Sequence, residues 1–279
     1  FPEGEIRIVR QLRVTEGRIF MTRIGKAFAK NKAFIAFITC GDPDLETTAA
    51  CVRAAVDNGA DLIELGIPFS DPTAEGPVIQ GANLRALTGG VTTDKIFDLV
   101  RGLRQDVEVP MVFMTYANVV FSYGAERFFS TCHEIGMDGI ILPDLPFEEK
   151  EEFLPLCHAY GVNLISLIAP TSENRIAMIA REAEGFLYIV SSLGVTGTRS
   201  EIKTDLESIV SVVRQNTEIP CAIGVGISTP QQGAKMPGIS DGAIEGSAIV
   251  KLIEKYGKEA PAYVGAYVRE MKEAIRKVS

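Results

Sequence analysis

The chain has no tryptophan, two histidines and five cysteines in 279 residues. The cysteines (Cys40, Cys51, Cys132, Cys157 and Cys221) are odd in number, widely spaced and never arranged as C-x-x-C. That pattern argues against a disulfide framework and reads as reduced core or helix thiols in a cytoplasmic protein. Neither His133 nor His158 has a cysteine or a second histidine at ligand spacing. A zinc centre is therefore close to excluded, and no metal is expected. No apolar run reaches the roughly 18 residues that a membrane-spanning helix needs. A basic run is also missing: 28 Lys+Arg stand against 36 Asp+Glu, a net charge of −8. Such a chain is a poor candidate for nucleic acid or for an anionic membrane surface.

What is present is a repeat of elements. Eight short apolar runs recur: Ala33–Thr39, Asp61–Gly66, Pro110–Thr115, Asp138–Leu142, Val162–Ile168, Phe186–Val190, Cys221–Ile223 and Gly242–Ile244. Between them lie stretches of helical spacing, among them Leu45–Asn58, Glu148–Tyr160, Glu173–Glu184 and Asp205–Asn216. Nearly continuous apolar strands imply a parallel sheet covered by helices. Eight such units in about 250 residues predict a single-domain (β/α)8 barrel, with a doubly wound open sheet as the alternative. Thr229-Pro230 and Thr171-Ser172 read as helix caps, and Pro261–Val278 as a terminal helix. The barrel domain is expected over residues 21–279. Residues 1–20 do not fit the repeat and form a leader of uncertain origin. They read either as sequence upstream of a natural start at Met21 or as a strand or hairpin plugging the barrel bottom.

In a parallel barrel the chemistry sits on loops after the C-terminal strand ends. After the second run comes Glu64-Leu65-Gly66-Ile67-Pro68-Phe69-Ser70-Asp71-Pro72-Thr73-Ala74-Glu75-Gly76-Pro77. By period two, Glu64 shares a face with Leu62 and Gly66 while Ile63 and Leu65 face the helices. An inward carboxylate in an apolar barrel has a raised pKa, which suits a group that both gives and takes a proton near neutrality. The alternative is a Glu held by a buried hydrogen bond. Glu75 is the second carboxylate, on a loop bounded by proline and glycine, and Asp71 is a further candidate. Glycine clusters at Gly194–Gly197, Gly224–Gly226 and Gly246-Ser247 follow the last three runs. With the helix start at Ser247 they predict a phosphate site of the kind such barrels carry. Lysine is missing from the strand ends, which argues against a Schiff-base aldolase. What remains is acid–base work by carboxylates on a phosphorylated substrate that supplies its own electron sink.

Several motifs occur in barrel order: Phe37-Ile38-Thr39-Cys40-Gly41-Asp42-Pro43, Pro68-Phe69-Ser70-Asp71-Pro72, Gly76-Pro77-Val78-Ile79-Gln80, Thr115-Tyr116-Ala117-Asn118, Leu142-Pro143-Asp144-Leu145-Pro146, Gly194-Val195-Thr196-Gly197 and Gly246-Ser247-Ala248-Ile249-Val250. On them the chain from about Met21 onward resembles the tryptophan synthase alpha subunit family, the indole-3-glycerol-phosphate lyases. The resemblance implies retro-aldol cleavage of indole-3-glycerol phosphate to indole and glyceraldehyde 3-phosphate. It makes Glu64 the proton shuttle and puts Glu75 where the family has a catalytic Asp at the indole N1–H. Gly197, Gly226, Gly246 and Ser247 match phosphate-binding positions. Phe37, Met114, Ile141, Tyr188 and Ile244 match pocket positions, and Thr196 matches a loop residue that helps close the site. The family's partner is a β subunit that carries pyridoxal phosphate, in an α2β2 complex. Pro68, Asp71, Asn118 and Pro146 match surfaces facing it, and no cofactor is expected in this chain. Three positions depart from the pattern: Glu75 in place of Asp, Val225 where an aromatic residue often lines the indole pocket, and Glu245 beside the phosphate loop. Two other functions stay open at this point: a catalytically weak regulatory subunit of a β partner, and a different phosphosugar barrel enzyme.

Overall fold

The computed structural model describes residues 22–29, 31–190, 203–224 and 239–276. The leader, the Thr229-Pro230 cap and the site candidates Thr196, Gly197, Val225 and Gly226 lie outside the described residues. Nine parallel strands form one sheet: β1 Ala33–Thr39, β2 Leu62–Gly66, β3 Met111–Met114, β4 Gly139–Ile141, β5 Asn163–Ile165, β6 Leu167–Ile168, β7 Leu187–Val190, β8 Cys221–Gly224 and β9 Gly242–Glu245. Their order is β5-β4-β3-β2-β1-β9-β8-β7-β6. The two outermost members, β5 and β6, are successive halves of one run of chain parted by Ser166. The sheet therefore returns to itself, and the expected eight staves close into a (β/α)8 barrel. An open doubly wound sheet would end on two unrelated edges.

The helices are α1 Arg23–Ala29, α2 Leu45–Asp57, α3 Pro77–Thr88, α4 Thr93–Leu103, α5 Ala117–Tyr123, α6 Ala125–Ile135, α7 Leu154–Tyr160, α8 Glu173–Arg181, α9 Lys203–Asn216, α10 Ser247–Tyr256 and α11 Ala260–Arg276. Side-chain caps start several of them. Asp44 accepts the Thr47 N–H at 2.7 Å before α2, and Ser172 caps α8. The single helix expected over Glu148–Tyr160 is broken: Phe147–Glu152 is a 3-10 turn, and α7 restarts at Leu154-Pro155. Proline lacks the N–H that an uninterrupted helix would use, so Pro155 belongs in a first turn. Helix α3 was not anticipated from the sequence.

Pleat alternation sorts the core. Phe34, Ala36, Ile38, Ile63, Leu65 and Phe113 face the helix layer. Ile35, Leu62, Val112, Ile141, Ile165, Ala222 and Ile244 fill the barrel interior. Helix α1 closes the N-terminal end of the barrel: Ile24 joins the interior cluster, and Phe28 lies 5.7 Å from Phe186. Lys272 of α11 is buried at that same end, bonded to Asp61 and to the Lys32 carbonyl. It is thus a structural lysine, placed at the pole opposite the strand ends where barrel chemistry is built. At the other pole Arg85 of α3 makes two 2.8 Å bonds to Asp42 after β1 and one of 2.9 Å to Glu254 of α10.

Candidate active site

Glu64 is the fourth residue before Pro68 and the third of β2, paired in register with Phe37 on one side and Val112 on the other. The register puts its side chain inside the barrel, as period two requires. It is fully buried, and neither carboxylate oxygen has a hydrogen-bond partner. The alternative reading, a Glu held by a buried hydrogen bond, is thereby set aside. Burial pushes its pKa up to about 8, with the charge of Glu75 adding to the effect. Burial thus keeps the carboxyl largely protonated near pH 7.

Glu75 ends the loop that follows β2. It precedes Gly76, the N-cap of α3, and Pro77 takes the first helical position, where its missing N–H costs nothing. The loop is held from both sides. Tyr116 stacks on Phe69 with ring centroids 5.0 Å apart, and its hydroxyl accepts the Ala74 N–H at 3.1 Å. Gln80 donates to the Glu75 carbonyl at 2.8 Å. Asn83, buried on α3, donates its amide to Glu75 Oε2 at 2.6 Å. Burial raises the Glu75 pKa to about 7, and the Asn83 bond opposes that rise. Asp71, the other candidate, is exposed and paired with Ser70 at 2.5 Å.

The apolar candidates gather around these two carboxylates. Phe37, Met114, Ile141, Tyr188 and Ile244 all project into the barrel. Glycines make room for the aromatic rings. A Cβ on Gly66 would come within 2.7 Å of the Phe37 ring, and one on Gly246 within 3.0 Å of it. A Cβ on Gly224 would lie 2.5 Å from the Tyr188 ring, so this glycine, read in sequence as part of a phosphate loop, clears space for Tyr188.

Ser247 opens α10, and Gly246 is its N-cap without a side-chain cap bond. Helix α10 therefore presents N–H groups and the positive end of its dipole beside Phe37. Glu245 lies opposite Ala36 on β1, so it faces the helix layer and is buried. Its Oε1 nevertheless accepts the Ala248 N–H at 2.9 Å. The sequence left two orientations open for Glu245. It points outward, yet its charge sits at the start of α10.

Of the residues read as partner-facing, Asp71, Asn118 and Pro146 are exposed and Pro68 is buried. Pro68 thus shapes the loop backbone instead of presenting a surface. Asn118 lines an open depression of about 320 Å³ together with Phe69, Thr93, Val119, Ser122 and Tyr123. His133 and His158 lie on α6 and α7 and bond to the Tyr160 carbonyl and to Glu184. Among the described residues no group of three His, Cys, Asp or Glu is placed to hold a metal, and no helix is long and apolar enough to cross a membrane.

Fold and site together define a barrel of the (β/α)8 enzyme class, with a buried carboxylate pair on and after β2 and the start of α10 on the other flank of β1. Residues 26–276 match the family model for the tryptophan synthase alpha chain. The chain is 46% identical over 257 residues to the tryptophan synthase alpha chain of Lacticaseibacillus casei, covering 92% of this chain and 97% of the relative. The tryptophan synthase alpha chain of Legionella pneumophila subsp. pneumophila superposes with a TM-score of 0.83 at 35% identity, over 93% of this chain and 99% of that one. A chain of the Pyrococcus furiosus tryptophan synthase complex gives 0.80 at 32% identity, over 87% and 98%. The chain belongs to the tryptophan synthase alpha chain family, and its function is that of an alpha subunit in tryptophan biosynthesis, a lyase.

Sequence reasoning missed Asn83, Gln80 and Tyr116, the residues that hold the Glu75 loop. A signal for the first two was present: Pro77 after Gly76, followed by Ile79, Ala82 and Ala86 at helical spacing.

Proposed function

We propose that this chain cleaves indole-3-glycerol phosphate to indole and glyceraldehyde 3-phosphate, with Glu64 as proton shuttle and Glu75 as the carboxylate facing the indole nitrogen. The observation that carries the assignment is the inward, unpartnered Glu64 carboxyl, protonated up to about pH 8. It donates a proton to indole C3. The ring nitrogen then carries positive charge, and ionised Glu75 stabilises that charge through the N–H. The bond from C3 to the glycerol carbon breaks, and its electrons return to the ring. The hydroxyl on that carbon becomes the aldehyde and gives its proton to the Glu64 carboxylate, which restores the starting acid. Phe37, Met114, Ile141, Tyr188 and Ile244 form the apolar walls for the indole. Gly246 and Ser247 are assigned to the phosphate together with Gly197 and Gly226, Thr196 to closing the site, and Val225 to the indole pocket.

The chain works with a β subunit in an α2β2 complex in the cytoplasm, and Asp71, Asn118 and Pro146 lie on the surface that meets it. Pyridoxal phosphate belongs to that partner. Two solved relatives support this reading, being tryptophan synthases, one of them named as a complex. A second reading, a catalytically weak regulatory subunit, is favoured by Glu245, whose charge occupies the Ala248 N–H at the phosphate end. Titrating the purified chain with indole-3-glycerol phosphate, with and without a β subunit, tests both. Indole release that rises on adding β supports the lyase. Substrate binding without indole release, even in the complex, supports the regulatory subunit.

A further inference from the structure

Glu75 and Asn83 are eight residues apart, and six of those steps lie within α3, a span of about 9 Å along the helix axis. They meet because helical side chains lean toward the N-terminus, so Asn83 reaches back over the preceding turns. The Glu75 chain must extend along the helix to meet it. The bond is short at 2.6 Å, and both residues are buried. Three other groups sense the Glu75 charge: Glu64 on β2, Tyr116 before α5 and Tyr188 on β7. None of them donates a hydrogen bond to it among the described contacts. Among the described residues, the one side-chain hydrogen bond to that carboxylate comes from Asn83.

We propose that Asn83 is a positioning residue for the reaction: its amide holds Glu75 extended along α3, ionised and with Oε1 turned to the substrate nitrogen. This rests on the role given to Glu75 above. A hydrogen bond to a buried carboxylate stabilises the charged form, so Asn83 opposes the upward pull of burial. Without it, Glu75 stays protonated to higher pH and gains rotamers that face away from the ring. The length of the side chain belongs to the same device. A one-methylene shortening withdraws the carboxylate by about 1.5 Å and takes it out of reach of the amide.

The test is the pH dependence of kcat and KM for indole-3-glycerol phosphate cleavage by the full chain with its β subunit. The variants are Asn83→Leu, Asn83→Ser, Glu75→Gln, Glu75→Asp and the reciprocal swap Glu75→Asp/Asn83→Gln, each checked for folding by circular dichroism. Loss of one charge-assisted bond corresponds to a fall in kcat of about tenfold near pH 7 and an acid limb of kcat/KM displaced upward by about one pH unit. KM changes less than kcat, because Asn83 does not touch the substrate. The swap recovers activity over Glu75→Asp, since the added methylene on one side replaces that lost on the other. If Asn83→Leu fails to fold, Asn83→Ser and the swap decide. A folded Asn83→Ser with the wild-type pH profile, beside an inactive Glu75→Gln, overturns the role of Asn83 and leaves that of Glu75 standing. A fully active Glu75→Gln removes the reading of Glu75 and this proposal with it.

Discussion

Strands β2 and β9 flank β1 on its two sides, and each carries a buried glutamate: Glu64 opposite Phe37, Glu245 opposite Ala36. Phe37 and Ala36 are consecutive, so the two carboxylates leave the sheet on opposite faces. Glu64 enters an apolar cavity and finds no partner. Glu245 enters the helix layer and takes the Ala248 N–H at the start of α10. Residue type and depth are the same, and one step of pleat phase separates an unpartnered carboxyl inside the barrel from one bonded to the first turn of a helix.

The comparison breaks most sharply at Glu64. Glu64→Gln keeps the shape and removes the exchangeable proton, so indole formation falls by at least about a thousandfold in a folded variant. Stability moves the other way with pH. The fold keeps Glu64 protonated to about pH 8, against an ordinary value of 4.5. Between those values the unfolded chain binds fewer protons. The group's contribution is therefore whole below about pH 4.5 and is lost as pH rises through 8. Glu64→Gln escapes that loss, and its Tm advantage over wild type grows by about 5 °C or more from pH 5 to pH 9, as read by thermal melts. A constant Tm difference over this range would show that Glu64 is solvated.

Glu75 comes next. Glu75→Ala and Glu75→Gln lose about a hundredfold in kcat, the scale of one misplaced charge at a transition state. Glu75→Asp loses about tenfold, because the shorter side chain leaves Asn83. Near-normal turnover in Glu75→Ala would transfer its role to Asp71. On the far side of β1, at the start of α10, Ser247→Asp sets a carboxylate against an incoming phosphate and raises KM by more than about tenfold, since like charges in close contact cost several kcal/mol. An unchanged KM, or failure of inorganic phosphate to compete with substrate, would place the anion elsewhere. The smallest effect is at Glu245. Glu245→Gln leaves a neutral acceptor for the Ala248 N–H and tightens phosphate inhibition about threefold, with kcat unchanged. Weaker inhibition in this variant would mean that Glu245 orders the helix start more than it repels the ligand.

Much of this was legible in the sequence because strand periodicity is coarse and robust. Leu62, Glu64 and Gly66 alternate with Ile63 and Leu65, and that alone placed Glu64 inside the barrel. The pocket residues Phe37, Met114, Ile141, Tyr188 and Ile244 also fall on inward phases. The helix after the Glu75 loop was hidden by its own polarity. Asn83 interrupts its buried stripe and Gln80 and Arg85 flank it, and each of the three bonds to the loop or to a neighbouring element. Glu245 was ambiguous for another reason. Its phase could be read from Ile244, but not that an outward side chain would reach round to the first turn of α10.

Arg85 gives the molecule a mechanical property. One guanidinium grips Asp42 after β1 with two bonds and Glu254 of α10 with a third, from the same helix that carries Asn83. The arm that aims Glu75, the turn beyond Phe37 and the helix that opens at Ser247 are therefore bolted at one point, and none slides without loading the other two. Val250 of α10 also packs on Ile79 and Ala82 of α3, so a load on α10 reaches the helix that carries Asn83 through packed side chains as well as through Arg85.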